Sequence, residues 1–168
     1  MTALRARRLA AILVIGGVLA GCSGTHPYRA TSDNNVRFTT VTESGSWFSS
    51  VRAKVHIHSV DRNCQTKYQG TIALGRSTLM TGIPAGEPSY LVFAFNSSSF
   101  LSNSSSSISY RTMLTPRRGR DYQIAVKYVD DTYNATIQEV DPRRRTSRQI
   151  HHAPLEACRA RSWKNTGK

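Results

Sequence analysis

Acidic residues are scarce in this sequence of 168 residues, which has 10 Asp and Glu against 23 Lys and Arg and a formal net charge of +13 at pH 7. Long hydrophobic runs are missing as well. The apolar run of residues 9–20 has 12 residues, whereas a helix needs about 20 to cross the hydrocarbon core of a membrane. The run is therefore too short to span a bilayer, and the excess charge predicts affinity for something anionic.

The common catalytic motifs are also lacking. The sequence contains no Gly-x-Ser-x-Gly, Ser-x-x-Lys or His-Glu-x-x-His pattern, each of which would place a nucleophile or metal ligands at a fixed spacing. The few carboxylates are scattered along the chain. We therefore predict that the protein is not an enzyme and uses no cofactor.

The first 22 residues have the order of a secretory signal. Residues 1–8 carry three arginines and no acid, the apolar run follows, and Leu19-Ala20-Gly21-Cys22 closes the segment. This tetrapeptide resembles the lipobox of bacterial lipoproteins. The resemblance implies cleavage before Cys22, a diacylglycerol on its sulfur and stable anchoring by two or more acyl chains. Ser23 in the next position favours the outer membrane, and the alternatives are a plain signal peptide or an uncleaved anchor.

The cysteines follow from this assignment. Lipidation of Cys22 leaves Cys64 and Cys158, an even pair in an oxidising compartment, so we predict a disulfide between them. The signal peptide holds three of the 23 basic residues and none of the 10 acidic ones, so the mature chain keeps a charge of +10. Export argues against nucleic acid as the partner, and an anionic envelope component or an envelope protein becomes the predicted one.

Hydrophobic alternation with a period of two predicts strands from Val36 onward. In residues 51–58, for example, Val51, Ala53, Val55 and Ile57 alternate with Arg52, Lys54, His56 and His58. We predict an all-β fold, an antiparallel β-sandwich of about seven short strands, with a short C-terminal helical turn within residues 155–163. The pattern of strands and turns loosely resembles the transthyretin-like or immunoglobulin-like domains of envelope lipoproteins.

The predicted organisation has four parts: a signal peptide at 1–21, a lipidated N terminus and flexible tether at 22–35, the β-sandwich at 36–163 and a disordered tail at 164–168. Residues 97–107, of which eight are serine, are predicted to form a mobile loop because they have little to bury. Beyond them Ile108, Tyr110, Thr112 and Leu114 form a row predicted to face the core.

The best candidate binding site comes from two groups of arginines. If residues 122–129 and 132–140 pair as a hairpin, the groups meet at one end of the sandwich. Guanidinium groups suit phosphates and carboxylates, and the sequence shows no acids that obviously balance them. The alternative is a solvated basic loop that only aids solubility. The arginines are Arg117, Arg118, Arg120, Arg143, Arg144, Arg145 and Arg148.

A second candidate site is the pair His56 and His58, which lie two residues apart on one strand face and would suit Zn²⁺ or Cu²⁺ with a third ligand from His151, His152 or Asp61. Arg52 and Lys54 share that face and disfavour a cation. The sequence thus predicts a membrane-anchored envelope lipoprotein that acts as a non-catalytic binding or accessory module, in a secretion-accessory or inhibitor-type role. A metal-binding or enzymatic protein that uses His56 and His58 is the alternative.

Overall fold

The computed structural model describes residues 24–42, 49–75, 78–99, 104–129 and 132–158. These residues form nine strands and, at residues 156–158, one short helical turn. The strands are β1 (Val36–Thr42), β2 (Ser49–Val60), β3 (Thr66–Leu74), β4 (Leu79–Thr81), β5 (Ser89–Ser99), β6 (Ser104–Leu114), β7 (Asp121–Val129), β8 (Thr132–Asp141) and β9 (Thr146–Ile150). The predicted signal peptide, Cys22 and residues 159–168 lie outside the described residues.

The strands form two sheets. Sheet A has the order β3-β2-β5-β6, and sheet B has the order β4-β1-β7-β8-β9. All pairs are antiparallel except β1 with β7, which is parallel. The prediction of an all-β sandwich is confirmed, although the described residues form nine strands where about seven were predicted. None of their helices is long and apolar enough to cross a membrane.

The core consists of the inward positions of the alternating strands. Phe38 of sheet B meets Phe93 of sheet A edge to face, with ring centroids 6.3 Å apart. Both side chains are fully buried, as are Val55 and Ile124. Because a buried side chain of this size contributes roughly 1.5–3 kcal/mol by leaving water, the alternation that predicted the strands is also what holds the sheets together.

The serine-rich stretch is not the predicted mobile loop over most of its length. β5 continues to Ser99 and β6 begins at Ser104, and the pairs run without interruption from Asn96↔Ser107 to Ser99↔Ser104. Backbone hydrogen bonds need no apolar side chain, so the sheet extends past the core. Ile108 was predicted to be buried, but it lies on an edge strand and keeps 47% of its surface exposed.

The N-terminal segment is held against the sandwich as far as His26, although it was predicted to be a tether. The Tyr28 N–H donates to the Thr71 carbonyl at 3.0 Å, and the Thr71 N–H donates to the His26 carbonyl at 2.9 Å. The Tyr28 hydroxyl donates to the Gly82 carbonyl at 2.8 Å. A Cβ on Gly82 would lie 2.0 Å from the Ser32 carbonyl oxygen, so this close approach requires glycine.

The C-terminal segment crosses to sheet A after β9. The Met113 N–H of β6 donates to the Ala153 carbonyl at 2.7 Å. The chain then enters the helical turn and reaches Cys158, which forms a disulfide with Cys64 in the turn between β2 and β3. The predicted disulfide and the helical turn that carries it are confirmed. The bond closes a loop with a sequence separation of 94 residues.

We expect the Cys64→Ala/Cys158→Ala variant to lose roughly 4–5 kcal/mol in its free energy of unfolding, because an open chain has more conformational entropy when unfolded. Urea unfolding of the full-length chain in detergent measures this loss. Reduced wild-type protein is the control and should unfold at the urea concentration of the variant. Equal midpoints for oxidised and reduced wild type would contradict a stabilising role for the disulfide.

Candidate anion-binding site

The arginine groups meet because β7 and β8 pair as an antiparallel hairpin. The first residue of β7, Asp121, pairs with Val140 near the end of β8. The turn before β7 and the turn after β8 therefore lie at the same end of the sandwich. The register confirms the pairing on which the predicted convergence rests. We call the seven arginines named above the arginine cluster.

Glu139 lies between the two groups and is only 8% exposed. Its Oε2 accepts a hydrogen bond from the Tyr122 hydroxyl at 2.9 Å. Arg148 donates from Nη2 to Oε1 at 3.3 Å, and Nε of Arg117 lies 3.6 Å from Oε2. One carboxylate thus contacts an arginine from each side of the hairpin.

Asp141 has the same role one position further along the inward face, where it is 9% exposed. It forms an ion pair with Arg120, and Arg144 Nε lies 3.9 Å from Oδ2. Its Oδ1 accepts the backbone N–H groups of Arg143 at 3.0 Å and Arg144 at 3.1 Å. Asp141 therefore shapes the turn between β8 and β9 as well as neutralising charge.

Tyr122 connects this end to the core. Its ring is fully buried, and its hydroxyl accepts the Arg117 N–H at 2.9 Å while donating to Glu139. Burial raises the pKa of the Tyr122 phenol above its usual value, and the neighbouring Glu139 acts in the same direction. The hydroxyl therefore stays protonated and remains a donor, which fixes the position of the carboxylate.

The structure corrects the expectation that no acids balance the arginines. Arg117, Arg120, Arg144 and Arg148 contact a carboxylate. Within the described residues, the side chains of Arg118, Arg143 and Arg145 have no ion pair, and all three residues are exposed. The seven arginines, the two buried carboxylates and Asp121 at the start of β7 together carry a charge of +4. Four arginines therefore contact a buried carboxylate, and the other three extend from exposed positions of the two turns.

Sequence reasoning missed Glu139, Asp141 and Tyr122. A signal was present, because Ala135, Ile137, Glu139 and Asp141 continue one inward row with a period of two. Two carboxylates at inward positions at the end of an apolar row are expensive to bury unless cations accompany them. Their place in that row, next to an arginine-rich turn, points to a buried ionic cluster.

His56 and His58 lie on the outer face of sheet A, around Tyr68. His56 Nδ1 lies 2.7 Å from the Thr71 hydroxyl, and the His58 ring centroid lies 5.4 Å from that of Tyr68. Asp61, a predicted third metal ligand, accepts the N–H groups of Asn63 and Gln65 in its own turn. His152 packs against Tyr110. Among the described residues, no three His, Cys, Asp or Glu side chains are grouped to hold a metal.

We expect Glu139→Gln to lower the free energy of unfolding by about 2 kcal/mol, because it leaves Arg117 and Arg148 without their counter-charge beside a buried hydrogen-bonded tyrosine. Urea unfolding measures the change. Glu87→Gln is the matched control: Glu87 is exposed, so its change should stay within about 0.5 kcal/mol. Equal effects of the two variants would show that Glu139 does not organise this end.

The histidines predict a loss of stability in acid. Burial lowers the pKa of His56 and of His58 below the usual value of about 6.5. The charge of Lys54 lowers the pKa of His56 further, and His56 does the same to His58. The unfolded chain then binds more protons, so stability falls as the pH drops below about 6.5 through the lowered folded pKa. We expect the double variant His56→Gln/His58→Gln to show a smaller fall of the urea midpoint between pH 7 and pH 5 than the wild type. His151→Gln is the control, and an unchanged slope in the double variant would contradict this origin.

Comparison of the chain with protein-family models, with curated proteins and with solved structures finds no match.

Proposed function

We infer that this chain is a membrane-anchored lipoprotein of the cell envelope, whose β-sandwich is a non-catalytic binding module for an anionic envelope component or an acidic partner protein. The arginine cluster carries this inference. Its seven guanidinium groups lie at one end of the domain, around two buried carboxylates that contact four of them. The three guanidinium groups without an ion pair in the described residues, those of Arg118, Arg143 and Arg145, suit phosphate or carboxylate oxygens.

The proposed location follows from Leu19-Ala20-Gly21-Cys22 and the serine after it. Lipid on Cys22 would anchor the chain to the outer membrane, with the sandwich facing the periplasm. Anions available there are phosphates of lipid head groups and carboxylates of envelope polymers and proteins. A secretion-system accessory or an inhibitor-type protein is a role that this arrangement suits.

The position of His26 supports binding close to the membrane surface. His26 already bonds β3, and it stands only four positions after Cys22 in the sequence. Four extended residues reach at most ~14 Å. A lipid on Cys22 would therefore hold His26, and with it the edge of sheet A formed by β3, within about 14 Å of the head groups.

The test uses the full-length chain in nanodiscs of phosphatidylcholine, titrated with inorganic polyphosphate and, separately, with polyglutamate. We expect the Arg118→Gln/Arg143→Gln/Arg145→Gln variant to bind the preferred polymer roughly tenfold to a hundredfold more weakly. Each exposed charge contributes on the order of 1 kcal/mol near an anionic surface, and 1.4 kcal/mol corresponds to a factor of ten. These three arginines have no ion pair in the described residues, so the fold should be unaffected.

The matched control removes three positive charges from the outer faces of the sheets, in Arg37→Gln/Arg52→Gln/Lys127→Gln. All three of these residues are exposed. If the arginine cluster is the site, the control variant should retain most of the binding. Equal losses in both variants would mean that net charge, and not the cluster, attracts the anion. Preference for polyphosphate over polyglutamate, or the reverse, identifies the class of anion.

A further inference from the structure

Three of the four sheet edges are protected against pairing with another strand. β4 has only three residues, and β9 has five and carries Arg148. β3 has an irregular register at Ile57/His58 and is covered at Thr71 by the segment around Pro27. Short strands, charges, bulges and covering segments are the means by which natural sheets avoid association through their edges.

Within the part of the chain that the structure describes, the β6 edge has none of these protections over most of its length. β6 has 11 residues without proline, and its register with β5 is unbroken from Ser89↔Leu114 to Ser99↔Ser104. Between Ser104 and Thr112 it carries one charge, that of Arg111. The C-terminal segment covers this edge at Met113, through the bond to Ala153.

That bond also fixes which backbone groups of β6 point outward. Met113 donates its N–H away from β5, to Ala153. Alternate residues of a strand direct their backbone N–H and C=O groups to the same side. The backbone groups of Ser105, Ser107, Ser109 and Arg111 therefore also point away from β5. No described residue pairs with the backbone of these four residues. They form a row of donors and acceptors suited to one more strand.

Ile108 lies in the middle of this row and is 47% exposed, more than Val41 at 38% and Met80 at 43%. It is on the same face as Phe95, its cross-strand neighbour, which is buried. The difference arises because β5 has a strand on each side, whereas Ile108 has no strand beyond it. An added strand would cover the exposed part of Ile108.

We propose that the β6 edge pairs with the β6 edge of a second copy of this chain, antiparallel and about a two-fold axis at Ile108, so that two four-stranded sheets become one of eight strands. In this register Ser107 pairs with Ser109 of the other copy, and Ser105 pairs with Arg111. The outward backbone groups of each copy then meet those of the other. About eight inter-strand hydrogen bonds result, two for each bonded pair.

A second copy fits this edge because the register is self-complementary. Ile108 lies opposite Ile108 in a non-hydrogen-bonded pair, where side chains approach most closely, so both exposed surfaces are covered at once. Arg111 lies opposite the uncharged Ser105, and no two like charges face each other across the new pair. A two-fold contact of this kind closes on itself and does not propagate into fibres.

The first experiment is a cysteine cross-link of the full-length chain in membranes of the producing cell. Opposed residues of a non-hydrogen-bonded pair have Cα atoms about 4.5 Å apart, a separation that a disulfide bridges. We expect Ile108→Cys to give a disulfide-linked dimer on mild oxidation, at a yield severalfold above that of Val41→Cys. Val41 is the matched control because it is also an exposed aliphatic residue, at 38%, on the other sheet.

A second variant tests the backbone pairing. In the Ile108→Cys background, Ser107→Pro removes an N–H that points away from β5, so no bond within the chain is lost, and the cross-link should fall to the Val41→Cys level. Ser107→Ala keeps the N–H and should retain the cross-link. Circular dichroism checks that each variant keeps its sheet content. An Ile108→Cys yield no higher than that of Val41→Cys, or an adduct with a different protein, overturns the second-copy proposal.

Discussion

The two buried carboxylates, Glu139 and Asp141, are the interaction on which the basic end of the sandwich depends. The seven arginines lie in the turn before β7, in the turn after β8 and in β9, and their like charges repel one another. The carboxylates occupy the last inward positions of β8, where they contact arginines from both turns. Their burial is costly unless cations accompany them, so carboxylates and arginines stabilise each other and the hairpin register brings them together.

The two terminal segments both attach to sheet A, and their positions determine which parts of the edges of sheet A are covered. The N-terminal segment bonds β3 through Tyr28, and the C-terminal segment bonds β6 through Ala153 before it reaches the disulfide with Cys64. The terminal segments therefore cover the β3 edge of sheet A at Thr71 and the β6 edge at its arginine end. The part of β6 that stays open lies on the serine-rich side, away from the arginine cluster.

Much of the fold could be predicted because side-chain alternation and cysteine parity report directly on burial and covalent pairing. β1, β2 and the β7–β8 hairpin follow from the period of two, and the disulfide was predicted from the parity of the cysteines together with the expected export of the chain. β9 was missed because four of its five residues are exposed, so it has no alternation to detect. The serine strands were missed because their pairing lies in the backbone. The attachment of residues 26–35 depends on single contacts of Tyr28 and Asn35, which have no periodic signature.

The candidate site was predictable in its location but not in its charge balance. Pairing two strands in the right direction is enough to bring their flanking arginines together, whereas recognising Glu139 and Asp141 required knowing that both side chains face inward. The two buried carboxylates change the electrostatic character of the arginine cluster. A ring of unpaired guanidinium groups would attract anions only through a diffuse electrostatic field, which salt screens. In this structure Asp141 accepts the backbone N–H groups of Arg143 and Arg144 and so shapes the turn that carries the unpaired Arg143 and Arg145.

The proposed anion site and the proposed pairing of β6 are compatible, because the arginine cluster lies beyond the Leu114 end of β6 whereas the proposed two-fold axis lies at Ile108. Leu114, the last residue of β6, is six residues from the two-fold axis at Ile108, a distance of about 20 Å along the strand. A two-fold axis through Ile108 sends the two arginine clusters to opposite ends of the paired sheet, roughly 40 Å apart, several times the screening length at physiological salt. The two clusters would therefore scarcely repel each other. Pairing through β6 leaves both free to bind, and a dimer would engage an extended anionic surface at two points in place of one.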